Sequence, residues 1–180
     1  MKHNGFWLWL GIALALPAGM AMAGPAPDAP QAPTATRWMF IPASSFVPRS
    51  SNSIYDYHSG ACVSAATGVT LVHKLLPPNG ANLRYMRLYY LDNSGATRMS
   101  GFVSSYDAAG TLTDLTQVRS SNRGDYSSSL SPAINHIVDR VDTNYAINLR
   151  FESDSDSIFV DSFETAPTMR FCGVRMMWDE

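Results

Sequence analysis

Between residues 38 and 178 the chain is a succession of short apolar runs. Most alternate with polar residues at a period of two, and each is closed by Gly, Pro, Asn or Asp. Period two sends alternate side chains to opposite faces of a strand, so these runs predict β-strands. Residues 144–151 give the cleanest case, with Tyr145, Ile147, Leu149 and Phe151 predicted to face inward and Ala146, Asn148 and Arg150 outward. In residues 82–91, Leu83, Tyr85, Tyr89 and Leu91 share one face while Met86, Leu88 and Tyr90 share the other, which predicts a strand covered on both sides. Residues 170–178 predict a closing strand with Cys172, Val174, Met176 and Trp178 on one face, and residues 38–41, 61–67, 69–75, 96–104 and 111–118 predict further strands. Leu76-Pro77-Pro78-Asn79-Gly80-Ala81 and Asp92-Asn93-Ser94-Gly95 read as turns. In residues 132–141 the spacing of Ile134, Ile137, Val138 and Val141 suits a helix or a strand equally. The Ser-rich stretch 44–60 reads as a long loop, a kind of segment that often carries function. Short strands at even spacing, with Gly and Pro turns, predict an all-β fold: a two-sheet antiparallel β-sandwich of jelly-roll type.

The amino terminus departs from this pattern. Met1-Lys2-His3-Asn4 is a short basic start, residues 6–16 are an apolar run, and Pro17 and Gly19 interrupt it ahead of Ala21-Met22-Ala23. This layout predicts a secretory signal peptide over residues 1–23, cleaved before Gly24. The run is too short to cross a hydrocarbon core of about 30 Å comfortably. Residues 24–36 alternate Pro with small residues and predict a disordered Pro/Ala-rich spacer. Residues 37–180 then make the single β-sandwich domain. The expected protein is secreted or periplasmic, with no membrane span once the signal is removed.

Charge narrows the partners. The chain carries 13 Lys+Arg and 15 Asp+Glu, a formal net charge of −2. Nucleic acid needs a basic surface and is not an expected partner. Cys62 and Cys172 are the 2 cysteines, and outside the cytoplasm such a pair is expected to form a disulfide.

The chain also carries a likeness. Phe46-Val47-Pro48-Arg49, Gly60-Ala61-Cys62, the Leu76-Pro77 to Gly80-Ala81 turn, Arg87-Leu88-Tyr89-Tyr90-Leu91-Asp92-Asn93, Thr143-Asn144-Tyr145-Ala146-Ile147-Asn148-Leu149 and Gly173-Val174-Arg175-Met176 follow one another in order. In this the chain resembles a widespread group of secreted bacterial β-sandwich proteins, with Asn79 as an extra residue in the turn. The resemblance implies a sandwich or jelly-roll fold and no particular activity. Ile158-Phe159-Val160-Asp161-Ser162-Phe163-Glu164 is similar to a short acidic-aromatic segment near the C-termini of many secreted bacterial proteins.

Signatures of catalysis are sparse. His58, His73 and His136 are far apart and match no metal-binding spacing, and G-x-S-x-G is absent. Cys62 with His58 is the one nucleophile and base close in sequence, and the disulfide is the competing use of that thiol. Arg123-Gly124-Asp125 is ordinary turn chemistry that happens to spell an adhesion tripeptide. Carboxylates gather at Glu152, Asp154, Asp156, Asp161 and Glu164, of which Asp154, Asp156 and Asp161 are the candidate Ca²⁺ ligands. No other cofactor is expected. Tyr55, Tyr57, His58 and Tyr126 are the candidate ligand-binding residues, because rings beside Ser, Asn and Asp suit sugar stacking and hydrogen bonding. The expected function is a non-catalytic extracellular binding module for a glycan or a protein partner. A structural subunit of the envelope and a hydrolase built on surface carboxylates are the alternatives.

Overall fold

The structure is a computed structural model that describes residues 35–95, 97–153 and 169–180. The strands are β1 Thr36–Pro42, β2 Val47–Pro48, β3 Tyr55–Tyr57, β4 Val63–Ala65, β5 Thr70–Leu75, β6 Asn82–Asp92, β7 Thr97–Asp107, β8 Leu112–Arg119, β9 Tyr126–Leu130, β10 His136–Ile137, β11 Thr143–Ser153 and β12 Met169–Asp179. A single 3-10 turn, Ala43–Ser45, follows β1. All pairings between these strands are antiparallel. In sheet I, β6 and β12 form the central pair; β9 and β10 flank β6, β1 and β4 flank β12, and β3 pairs β4. In sheet II the order is β2-β5-β11-β7-β8. The molecule is an antiparallel β-sandwich of jelly-roll type.

The core lies between the sheets. Sheet I contributes Leu83, Met86, Leu88, Tyr90, Phe171, Val174 and Met176; sheet II contributes Leu71, Leu75, Met99, Val103, Ile147, Leu149 and Phe151. Burying a side chain of this size stabilises the fold by roughly 1.5–3 kcal/mol. Phe46 seals the crossing from β1 to β2, its ring edge-on to Phe171 at 4.8 Å. Asp92 is buried at the end of β6, where its carboxylate accepts hydrogen bonds from the Ser94 N–H and the Ser120 hydroxyl.

Several predicted facings shift, and bulges explain the most consequential ones. On β6, Tyr85 pairs Met177 while Leu83 pairs Trp178, so Arg84 is an extra residue. A bulge reverses the alternation. Leu83 therefore joins Met86, Leu88 and Tyr90 in the core, while Tyr85, Tyr89 and Leu91 are half-buried and face outward. On β12, Phe171 pairs Tyr90 and Gly173 pairs Tyr89, leaving Cys172 as the extra residue, turned away from the core face of Val174, Met176 and Trp178. Ala146 and Asn148 stand on the predicted outer face of β11 and are nonetheless buried, because a polar layer covers them. Residues 132–141 form no regular helix: β10 takes two of them, with Val138 buried and Ile137 and Val141 exposed. The stretch read as a long loop contains β2 and β3.

Candidate functional site

The outer face of sheet I carries an open cleft with a volume of about 590 Å³. Its lining comes from β1, β6, β9, β12 and the corner before β4: Phe40, Tyr89, Tyr126, Ser128, Cys172 and Ala61 are its main walls. The local sequence explains the shape. Gly173 stands between Tyr89 and Pro42 in the strand register and brings no side chain to this face. Its φ of +145° belongs to glycine, and a Cβ there would lie 2.6 Å from the Ile41 carbonyl and 2.8 Å from the Phe40 ring. The gap lets Phe40 lean in until its ring meets Tyr89 edge-on at 5.8 Å. Opposite, β9 begins with Tyr126 and continues as Ser127-Ser128-Ser129, whose small side chains keep that wall low. Phe40 and Tyr126 remain more than half exposed at 52% and 58%.

Polar groups are fixed around these rings. The Arg87 guanidinium donates to Ser128 Oγ at 3.1 Å, and Arg175 lies over the Tyr89 ring at 5.6 Å. Beneath them, Tyr90 OH bonds Ser121 and Ser129 and accepts the Ser121 N–H at 3.1 Å. Burial pushes the Tyr90 hydroxyl up, yet this serine cage outweighs it and holds the group below its ordinary value of 10.0. Among the described residues the lining holds no Asp, Glu or His; it offers ring faces, hydroxyls and backbone groups.

The expected disulfide is present: Cys62 and Cys172 are bonded, joining the corner before β4 to the β12 bulge beside the cleft. Cys62 therefore carries no thiol to act as a nucleophile with His58. That imidazole instead holds Ser64 Oγ at 2.7 Å from its Nε2.

Tyr126 is the one sequence-nominated ring in the cleft. Tyr55 and Tyr57 lie on β3 at the edge of the sheet, their rings edge-on at 5.5 Å. Tyr55 packs against the core, whereas Tyr57 is exposed, its hydroxyl held above 10.0 first by hydrogen bonding with Tyr55. Asp154, Asp156 and Asp161 lie outside the described residues, as does the 158–164 segment. Among the described residues no group of three His, Cys, Asp or Glu is placed to hold a metal ion. Phe40 and Tyr89 were not nominated from sequence. The available signal was that residues 38–41 are apolar at every position, giving β1 one more apolar face than the core needs.

No family model matches the chain, and no curated protein is similar to it in sequence. Solved structures are similar in fold. One is the C-terminal CBM6 module of a laminarinase from Zobellia galactanivorans, at a TM-score of 0.51 and 13% identity over 78% of this chain and 98% of that chain. Another is a Clostridium thermocellum endo-1,4-beta-D-xylanase structure of CBM22-1 and GH10 modules complexed with xylohexaose, at 0.50 and 9% identity over 78% of this chain and 27% of that chain. At such identities the likeness concerns the fold alone.

Proposed function

We propose that this domain is a secreted, non-catalytic module that binds a polysaccharide in the sheet I cleft. The observation that carries the reading is the aromatic lining itself: Phe40, Tyr89 and Tyr126 line one open cleft, with Ser128 and Arg87 beside them. A sugar ring has an apolar face that stacks on an aromatic ring and an equatorial rim of hydroxyls. Serine hydroxyls and guanidinium groups reach that rim at hydrogen-bond distance. The cleft is open to solvent on its outer side, which suits a chain passing through rather than a small molecule enclosed. Likeness to carbohydrate-binding modules supports the reading at the level of fold. The disulfide supports an oxidising compartment, in line with secretion.

The test is a polysaccharide binding screen of the protein, with and without calcium. Wild type is expected to bind at least one polymer, and Tyr89→Ala to weaken that binding by about tenfold or more, in the range that loss of a stacked ring gives. Tyr57→Ala, on the far edge, is expected to bind like wild type. Retention of binding in Tyr89→Ala with loss in Tyr57→Ala would move the site to β3.

A second reading rests on the width of the apolar surface. Trp38 and Leu130 extend it beyond the cleft, and both are exposed. Exposed apolar patches of this kind mark contact surfaces, including contacts between copies. Sedimentation of the protein across a concentration series separates the two: a stable dimer weakened by Trp38→Ser favours assembly, and a monomer throughout favours the glycan.

A further inference from the structure

Resting on the glycan reading, we infer that the cleft selects an acid-bearing polysaccharide, one whose sugars carry carboxylate or sulfate groups. The charges around the rings carry this. Arg87 and Arg175 are directly opposite one another on β6 and β12. Like charges placed opposite across a sheet are destabilising, by up to about 1 kcal/mol. Here no carboxylate relieves them: among the described residues the ion pairs are Arg37 with Glu180 and Arg84 with Asp179, at the other end of the face. Arg87 bonds a serine and Arg175 lies over Tyr89, so both are held beside the cleft with donors to spare. Among the described residues, Asp125 caps the Tyr126 N–H, and Asp56 sits on the edge strand opposite Ser64.

Two guanidinium groups thus stand beside the aromatic cleft, on a chain whose formal net charge is −2. A neutral glycan needs no such arrangement. A uronic acid or sulfated sugar meets it twice, with its ring face on Tyr89 and its anion on the planar donor fork of arginine. The two arginines on adjacent strands define the anion position.

The experiment compares matched polymers: polygalacturonate against its methyl ester, and dextran sulfate against dextran, each titrated into wild type, Arg175→Gln, Arg87→Gln and Tyr89→Ala. Arg119→Gln, on the other sheet, is the charge-matched control, and melting curves confirm that each variant is folded. Wild type is expected to prefer one acidic polymer over its neutral partner by about tenfold, with affinity falling as salt rises. Arg175→Gln and Arg87→Gln should each erase most of that preference, Arg119→Gln should keep it, and Tyr89→Ala should weaken binding to both members of a pair. Which acidic polymer binds identifies carboxylate or sulfate as the recognised group. Equal binding of acidic and neutral partners would overturn the charge inference and leave the glycan reading standing. Binding weakened as much by Arg119→Gln as by Arg175→Gln would also overturn it, as diffuse attraction. If no polymer binds, including the neutral ones of the wider screen, the glycan reading fails and this inference falls with it.

Discussion

The two outer faces of the sandwich are built on opposite plans. On sheet II most outward polar side chains bond one another, although Asn148 Oδ1 is buried without a partner. Asn148 Nδ2 donates to Ser104 Oγ and Tyr106 OH, Ser104 donates to Asp114, and Ser100 donates to Glu152. Arg150 covers Phe102 at 4.5 Å, and Arg98 stands opposite Glu152, so unlike charges face each other. That layer closes so well that Ser100, Ser104 and Asn148 are buried on the solvent side of their own sheet. On sheet I Trp38, Phe40 and Tyr126 stay exposed, like charges face each other, and a glycine makes room for the Phe40 ring between strands. Both faces contain aromatic rings and arginines, so composition does not separate them. What separates them is that sheet II sets unlike charges opposite one another and buries its polar layer, whereas sheet I sets Arg87 opposite Arg175 and leaves Phe40 and Tyr126 exposed, groups that a ligand can engage.

Removing the disulfide on the cleft side should destabilise the molecule most. The Cys62–Cys172 bond has a sequence separation of 110, and constraining a loop of that size stabilises by about 4–5 kcal/mol in the chain-entropy account. Cys62→Ser with Cys172→Ser should lower the melting temperature far more than any single substitution on the sheet II face. A melt unchanged from wild type would contradict this. Next in size is Gly173→Ala, which meets both a backbone conformation reserved for glycine and the Phe40 ring. A loss of about 3 kcal/mol is expected from strain and displaced packing, measured by urea unfolding. Gly110→Ala also carries a positive φ but has open space around it, so it should cost less.

A matched pair then sharpens the contrast. Phe102→Ala should destabilise the fold by roughly 2–3 kcal/mol, since its ring is buried beneath Arg150, and should leave polymer binding intact. Tyr89→Ala should do the reverse, with a smaller stability loss and a binding loss of about tenfold or more. If both variants lose stability alike and neither changes binding, the two faces are equivalent and the contrast fails.

The smallest effect is a pH dependence away from either face. Burial holds the His136 imidazole below its ordinary value of 6.5, and its Nε2 lies 2.9 Å from Tyr145 OH. The folded chain therefore binds fewer protons than the unfolded one just below 6.5. Stability from this group is full above that value and declines as pH falls toward the lowered folded pKa. Melting temperature should drop modestly between about pH 7 and pH 5.5, and His136→Gln should flatten that slope.

Much of the fold is legible in the sequence, because strands follow the alternation of apolar residues and that alternation is clear in β11 and in part of β5. The inner face of β11 is where Tyr145, Ile147, Leu149 and Phe151 place it. The cleft is far less legible, for three physical reasons. Bulges at Arg84 and Cys172 reverse the facing of the residues beyond them, and a bulge depends on the partner strand, which local periodicity does not encode. Strand β9 is Tyr-Ser-Ser-Ser-Leu, with no apolar alternation to announce it, so the wall that carries Tyr126 does not read as a strand. Tyr89 looks like a core residue in a strand rich in apolar side chains, and only the register past the Arg84 bulge shows that it faces outward. Tyr126 could be nominated from sequence by its exposed, turn-proximal setting; its partnership with Phe40 and Tyr89, from residues far away along the chain, could not.

The most direct test is an NMR titration of the labelled protein with short oligosaccharides from neutral and acidic polymers. The account predicts that amide shifts concentrate on Phe40, Tyr89, Ser128 and Arg175, while Phe102, Asn148 and Asp114 stay silent. Shifts gathered on the sheet II face or on Tyr55 and Tyr57, or no shifts with any oligosaccharide, would contradict it.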